Sequence, residues 1–222
     1  MTMRVHMTAM LSLAVAALGA LVATRARRDT PLVQASVSQH TRFLSEDAVR
    51  DSDIVFYERR VAEDAESATD RSILATLYLQ RARASGGVTD YARAEDVARR
   101  SLALRTEHNG QTFALLASAL LARHAFDEAR TVARQADSLD PGNSAHIALL
   151  GEVELELGHY DVADSLFHSV QYDVNQFAVA ARVARWRELT GHAVEARAIL
   201  RRCIQRMTSR DDLPREQRAW FH

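Results

Sequence analysis

The sequence predicts an all-α protein, an array of stacked antiparallel helix pairs, and three observations carry that prediction. Glycine and proline are scarce, eight and three in 222 residues, whereas a strand-rich chain needs both for its turns. The apolar share is 47% with only 6% aromatic, so alanine and leucine, both good helix formers, supply most of it. Short strings also recur in phase about 34 residues apart, the mark of a repeat architecture. A charged content of 26% belongs to a folded chain rather than a disordered one. The formal net charge of −1 removes nucleic acid and acidic membrane as bulk electrostatic partners. All 28 basic residues are arginine, which excludes Schiff-base and phosphate-loop lysines from any mechanism. Cys203 is the single cysteine and cannot form an internal disulfide.

Along the chain, residues 7–23 (MTAMLSLAVAALGALVA) come first and carry no charge. Arg4 precedes them, and Arg25, Arg27 and Arg28 follow. Two readings stay open. A secretory signal has this basic start and apolar middle, with Thr24 and Ala26 as small residues about a cleavage site. A membrane anchor needs about 17–25 apolar residues, and the trailing arginines resist translocation. Either reading expects a protein of the bacterial cell envelope, anchored by one span or exported after cleavage. Residues 24–50 are polar without sustained periodicity and read as a linker.

The repeat region runs from 51 to 208. Its first element, about 52–65, is a lone helix with Ile54, Tyr57 and Val61 on one stripe, expected to cap the array. Behind it, the strings DYARA, AFDEA and HYDVA place Tyr91, Phe126 and Tyr160 each three positions before an alanine. These aromatics recur at the same period, and a fourth copy puts Ala193 in the aromatic slot one period after Tyr160. Repeats are expected at about 70–106, 110–141, 144–174 and 177–207. Small residues at Ala117, Gly151 and Ala184 would let each first helix approach its neighbour. Ala94, Ala129, Ala163 and Ala196 would do so on the second helices, with the aromatics filling the wedge beside them. Gly158 and Gly191 mark first-helix C-termini, and residues 140–144 (DPGNS) stop one unit and offer caps for the next. The first copy departs from the frame: it has Tyr78 where the others have a small residue. It also carries a short insertion, Ser85 to Thr89, expected in its inter-helix loop. Residues 210–214 (RDDLP) look like a helix start, so 209–222 would open a further helix, as if another repeat were to follow.

This pattern resembles the tetratricopeptide repeat, in which a bulky residue, Leu-Gly, Tyr, Ala-x3-Phe and a final Pro recur about every 34 residues. The copy from Gly110 to Pro141 follows that spacing without a gap. The resemblance implies a right-handed α-solenoid whose first helices line a concave face that binds peptides or helices. Carried onto this chain, the face comprises Gln111, Ser118, Glu152, Glu156, Arg182, Arg185 and Glu188. Chaperone-tail binders of the family use a Lys/Asn carboxylate clamp, which this chain lacks at those positions.

No string for phosphate, dinucleotide, metal or nucleophile chemistry is present, so neither enzyme activity nor a cofactor is expected. His124, His159 and His192 fall near successive inter-helix turns. Turns on stacked helices lie at least about 8–10 Å apart, too far to share one ion whose nitrogen ligands sit at about 2 Å. They read as polar turn residues. Cys203 stands where Ala136 and Val170 stand in earlier copies and reads as a packing residue. The acid pairs Glu152/Glu156 and Asp211/Asp212 read as solvated, partner-facing or capping groups. The expected function is non-catalytic: a scaffold for a protein or peptide partner. The alternative is the regulatory or targeting region of a larger enzyme or assembly.

Overall fold

The computed structural model describes residues 45–208, and these form α-helices joined by short turns, with no strand among them. The apolar segment 7–23, all but the end of the expected linker, and residues 209–222 with their Asp211/Asp212 pair lie outside the described residues. Among the described residues no helix is long and apolar enough to cross a membrane. The helices are α1 (Glu46–Glu63), α2 (Ala68–Ser85), α3 (Val88–Leu104), α4 (Gly110–Ala122), α5 (Phe126–Leu139), α6 (Ser144–Glu156), α7 (Tyr160–Val170), α8 (Phe177–Leu189) and α9 (Ala193–Thr208). Helices α2/α3, α4/α5, α6/α7 and α8/α9 pack as successive pairs, and α1 packs on α2.

Helix α1 starts at Glu46, so residues 46–50 are helical rather than linker. Its buried stripe is Ile54, at 1% exposure, with Tyr57 and Val61 half-buried beside it. The stripe covers the first pair and is fastened by polar groups. The Tyr78 hydroxyl donates to Glu58 at 2.5 Å, and Arg81 reaches Asp51 at 3.3 Å.

The alanines expected at the helix contacts, Ala94, Ala129, Ala163 and Ala196, are all buried. Ala117 and Ala184 are buried as well. At Gly151 a methyl group would meet the Phe167 ring at 3.1 Å, so the two helices of that pair approach as closely as they do because no side chain intervenes. The apolar residues condense into three neighbouring clusters along the array. Cys203 is buried in the last of them, and burial pushes its thiol up from the ordinary value.

Each pair turns at one residue with a left-handed backbone: Gly86, His124, Gly158 and Gly191, with φ of 71°, 60°, 79° and 87°. Glycine accepts that conformation without a Cβ penalty, and His124 is the one non-glycine at this slot. Between units two and three, Asn143 caps α6, its side-chain oxygen accepting from the Ala145 and His146 amides at 3.0 and 3.4 Å. Between units three and four there is no proline. Instead Arg206 donates to the carbonyl and the side-chain oxygen of Asn175 at 2.9 and 2.8 Å, and the Ser144 hydroxyl donates to Asp173.

Two expectations need correction. The insertion in the first copy does not make a long loop. Only Gly86 and Gly87 leave the helical conformation there, and the extra residues lengthen α2 and α3, which run 18 and 17 residues against 13 and 14 in the next pair. An addition close to one helical turn keeps the apolar stripes in register. The aromatics also do not fill equivalent wedges. Tyr91 and Phe126 are half-buried, but Tyr160 is 67% exposed. Tyr91 lies one turn inside the lengthened α3, whereas Tyr160 is the first residue of α7, where the chain has just left the preceding turn. Phe126 also opens its helix, but there the His124 ring lies edge-on against it.

Candidate functional site

Successive first helices pack on one another, α2 on α4, α4 on α6 and α6 on α8, more closely than successive second helices do. Crowding on one side and splay on the other make the first-helix side the inner face. Its floor on α4 carries no charge over the whole helix, GQTFALLASALLA. There Gln111 and Ala122 are exposed, and Ala114, Leu115, Ser118 and Leu121 are half-buried. The Ser118 hydroxyl turns back to its own helix, donating to the Ala114 carbonyl at 2.8 Å. Gln111 and the exposed Glu188 have no side-chain partner among the described residues.

The other four expected residues come together. Arg182 on α8 pairs with Glu152 on α6 at 2.6 Å. Arg185 pairs with Glu156 at 2.6 Å and touches Glu152 at 3.6 Å. Two guanidinium groups and two carboxylates thus neutralise one another and strap the third unit to the fourth. The Glu152–Arg182 contact is the more shielded, its side chains 18% and 19% exposed, while Arg185 is 47% exposed. Contacts near water such as the latter contribute little stability, so their main consequence is geometric. The inner face therefore changes character along the array, from a neutral strip of small side chains on α4 to a self-paired ionic strip on α6 and α8.

A second charged group lies just behind this face. Glu154 is 1% exposed. It receives Arg134 from α5 at 2.9 Å and contacts His159, at the α6–α7 turn, at 2.6 Å. A buried carboxylate is tolerated only with such partners. Sequence reasoning missed it although a signal existed: the equivalent position one unit earlier is Leu120, so an acid stands in an apolar slot. The three turn histidines have separate roles. His124 sits edge-on to Phe126 at 5.4 Å, His159 pairs with Glu154, and His192 meets the Thr190 hydroxyl at 3.1 Å.

No family model matches the chain, and no curated protein does. Solved structures do. TTC0263, a thermophilic TPR protein of Thermus thermophilus, aligns with a TM-score of 0.61 at 16% identity, over 78% of this chain and 88% of that one. MamA aligns at 0.52 and 14% identity, over 75% of this chain and 97% of that one. YrrB, described as a TPR protein with an unusual peptide-binding site, aligns at 0.50 and 18% identity, over 74% and 81%. At these identities the likeness is one of fold. The described residues form a TPR-like α-solenoid.

Proposed function

We propose that the array is a non-catalytic scaffold of the cell envelope that holds a peptide or helix of a partner protein along its inner face. The observation that carries this reading is the uncharged strip of α4, open at Gln111 and Ala122 and bordered by an ionic strip already paired with itself. Such a surface favours an extended or helical segment with small or apolar side chains. A free carboxylate would find no unpaired cation at the seven positions. YrrB, similar in fold, supports a peptide ligand through its described site, and the apolar segment 7–23 supports the envelope setting.

A photo-crosslinking amino acid at Gln111 tests the reading in intact cells. A discrete adduct is expected there, lost in Ser118→Arg, and absent when the crosslinker sits at Ser138 on the outer side. Equal adducts at both positions would overturn the groove assignment. Protease protection of residues 91–222 in intact cells tests the setting, and digestion from the cytoplasmic side only would exclude export.

A further inference from the structure

We infer that the outer face of α9 is a second docking surface, for an acidic segment of a partner protein. This surface is independent of the inner groove. The exposed positions of α9 include Arg197, Arg201, Arg202 and Arg206. Its single acid, Glu195, is paired with Arg187 of α8 at 3.4 Å. Arg197, Arg201 and Arg202 have no carboxylate partner among the described residues. Their nearest equivalents behave differently. On α3, Arg93, Arg99 and Arg100 pair with Asp90, Glu95 and Asp96 at 3.2, 2.9 and 3.1 Å. On α5, Arg130 and Arg134 pair with Asp127 and Glu154 at 3.8 and 2.9 Å. A chain of net charge −1 thus gathers on one helix three cations that have no carboxylate partner among the described residues.

The geometry suits carboxylates. Arg197 and Arg201 are one helical turn apart, as are Arg202 and Arg206, so they form two rows that flank the exposed face of the helix, with Val194, Ala198 and Gln205 between them. Beside the second row lies a cleft of about 140 Å³ lined by Val174, Asn175, Arg202, Gln205 and Arg206. The Asn175 carbonyl and side chain already orient the Arg206 guanidinium. Guanidinium forks bind carboxylates in a bidentate manner, and docking on this face rests on Arg197, Arg201 and Arg202. A lipid surface fits less well. A helix that lies on a membrane inserts an apolar face, and the apolar face of α9, with Ala196, Ile199, Cys203 and Met207, is already in the core. Val194 is the one large apolar side chain left exposed on it.

Fluorescence anisotropy with the full-length protein and a labelled hexaglutamate peptide, at about 0.15 M salt, tests the inference. Binding is expected, and the triple variant Arg197→Glu/Arg201→Glu/Arg202→Glu should weaken it at least about tenfold. The charge-matched variant Arg59→Glu/Arg83→Glu/Arg100→Glu should leave it within about twofold. Circular dichroism melts check folding, and Arg201→Gln alone, expected to weaken binding measurably, serves if the triple variant unfolds. Absent binding, or equal losses in both triple variants, would overturn the inference. So would binding to phosphatidylglycerol vesicles that depends on these arginines while the peptide does not bind. A gain in peptide affinity of about tenfold in Asp211→Asn/Asp212→Asn/Glu216→Gln would also overturn it, since the chain's own segment would then occupy the face.

Discussion

The first helix pair and the third meet the same packing requirement with opposite side chains. In the third, the slot on the first helix is Gly151, and the space it leaves is taken by Phe167, whose ring stacks on Trp186 at 5.6 Å and 22°. In the first, the slot holds Tyr78, 5% exposed, its hydroxyl on Glu58 of α1 and its ring centroid 5.6 and 5.9 Å from the Arg81 and Arg93 guanidinium groups. Neighbouring contacts follow suit. Within the first pair the buried Ser101 hydroxyl donates to the Ala68 carbonyl at 2.7 Å, and the first pair meets the second through a hydroxyl contact, Thr112 donating to Ser72 at 2.8 Å. The third meets the fourth through aromatic rings. The lesson is that a repeat's small-residue position is imposed by the facing side chain: where the facing helix offers no large ring, a large residue can stand there.

The contrast can be broken most sharply at Tyr78. Tyr78→Ala removes a buried ring and its bond to Glu58, and chemical denaturation should show a loss of about 3–5 kcal/mol. A loss under about 1 kcal/mol would mean the ring does not support the α1 cap. Gly151→Leu should cost about 1–3 kcal/mol by overpacking against Phe167. Gly151→Ala sharpens that test. In an open helix the change gains about 1 kcal/mol, so a gain of that size would show that the Phe167 ring yields.

A pH series separates the pairs next. The Arg81 guanidinium holds Asp90 below the usual carboxylate range, with Arg93 adding to the effect, and Arg60 does the same for Asp70. Both folded values are depressed. Their stabilisation is therefore present above the unfolded carboxylate value, about 3.9, and is lost as pH falls through the lower folded value. Asp90→Asn should destabilise the array at pH 7, and the gap to the parent should close on acidification below about pH 4. A gap that stays constant down to about pH 2 would remove the ion pair as its cause. The smallest effect concerns the aromatics: Tyr160→Ala should change stability by under about 0.5 kcal/mol, and Tyr91→Ala by clearly more. Equal effects in thermal melts would contradict their different burial.

Much of this architecture is legible in the residues. The repeat phase, the four buried alanines, the Gly158 and Gly191 turns and the Asn143 cap all follow from local chemistry that repeats with the chain. The inner-face positions follow only from the resemblance, and the residues alone do not say which of them are spent on each other. Glu152 and Arg182 lie thirty positions apart in sequence, and nothing local to either announces the other. The string around Tyr160 matches that around Tyr91, yet the burial of the two rings depends on how far each helix extends before the turn.

By itself the sequence determined the all-α class, the helix pairing and the uncharged character of α4, because periodicity, turn chemistry and composition act over a few residues. The tertiary structure decided that an insertion would lengthen helices and that Glu154 would be buried between Arg134 and His159. It also decided that Arg182 and Arg185 would find carboxylate partners while Arg197, Arg201 and Arg202 would find none among the described residues. Those outcomes depend on which helices approach within a few ångströms, and that is set by the shapes of side chains a full repeat apart.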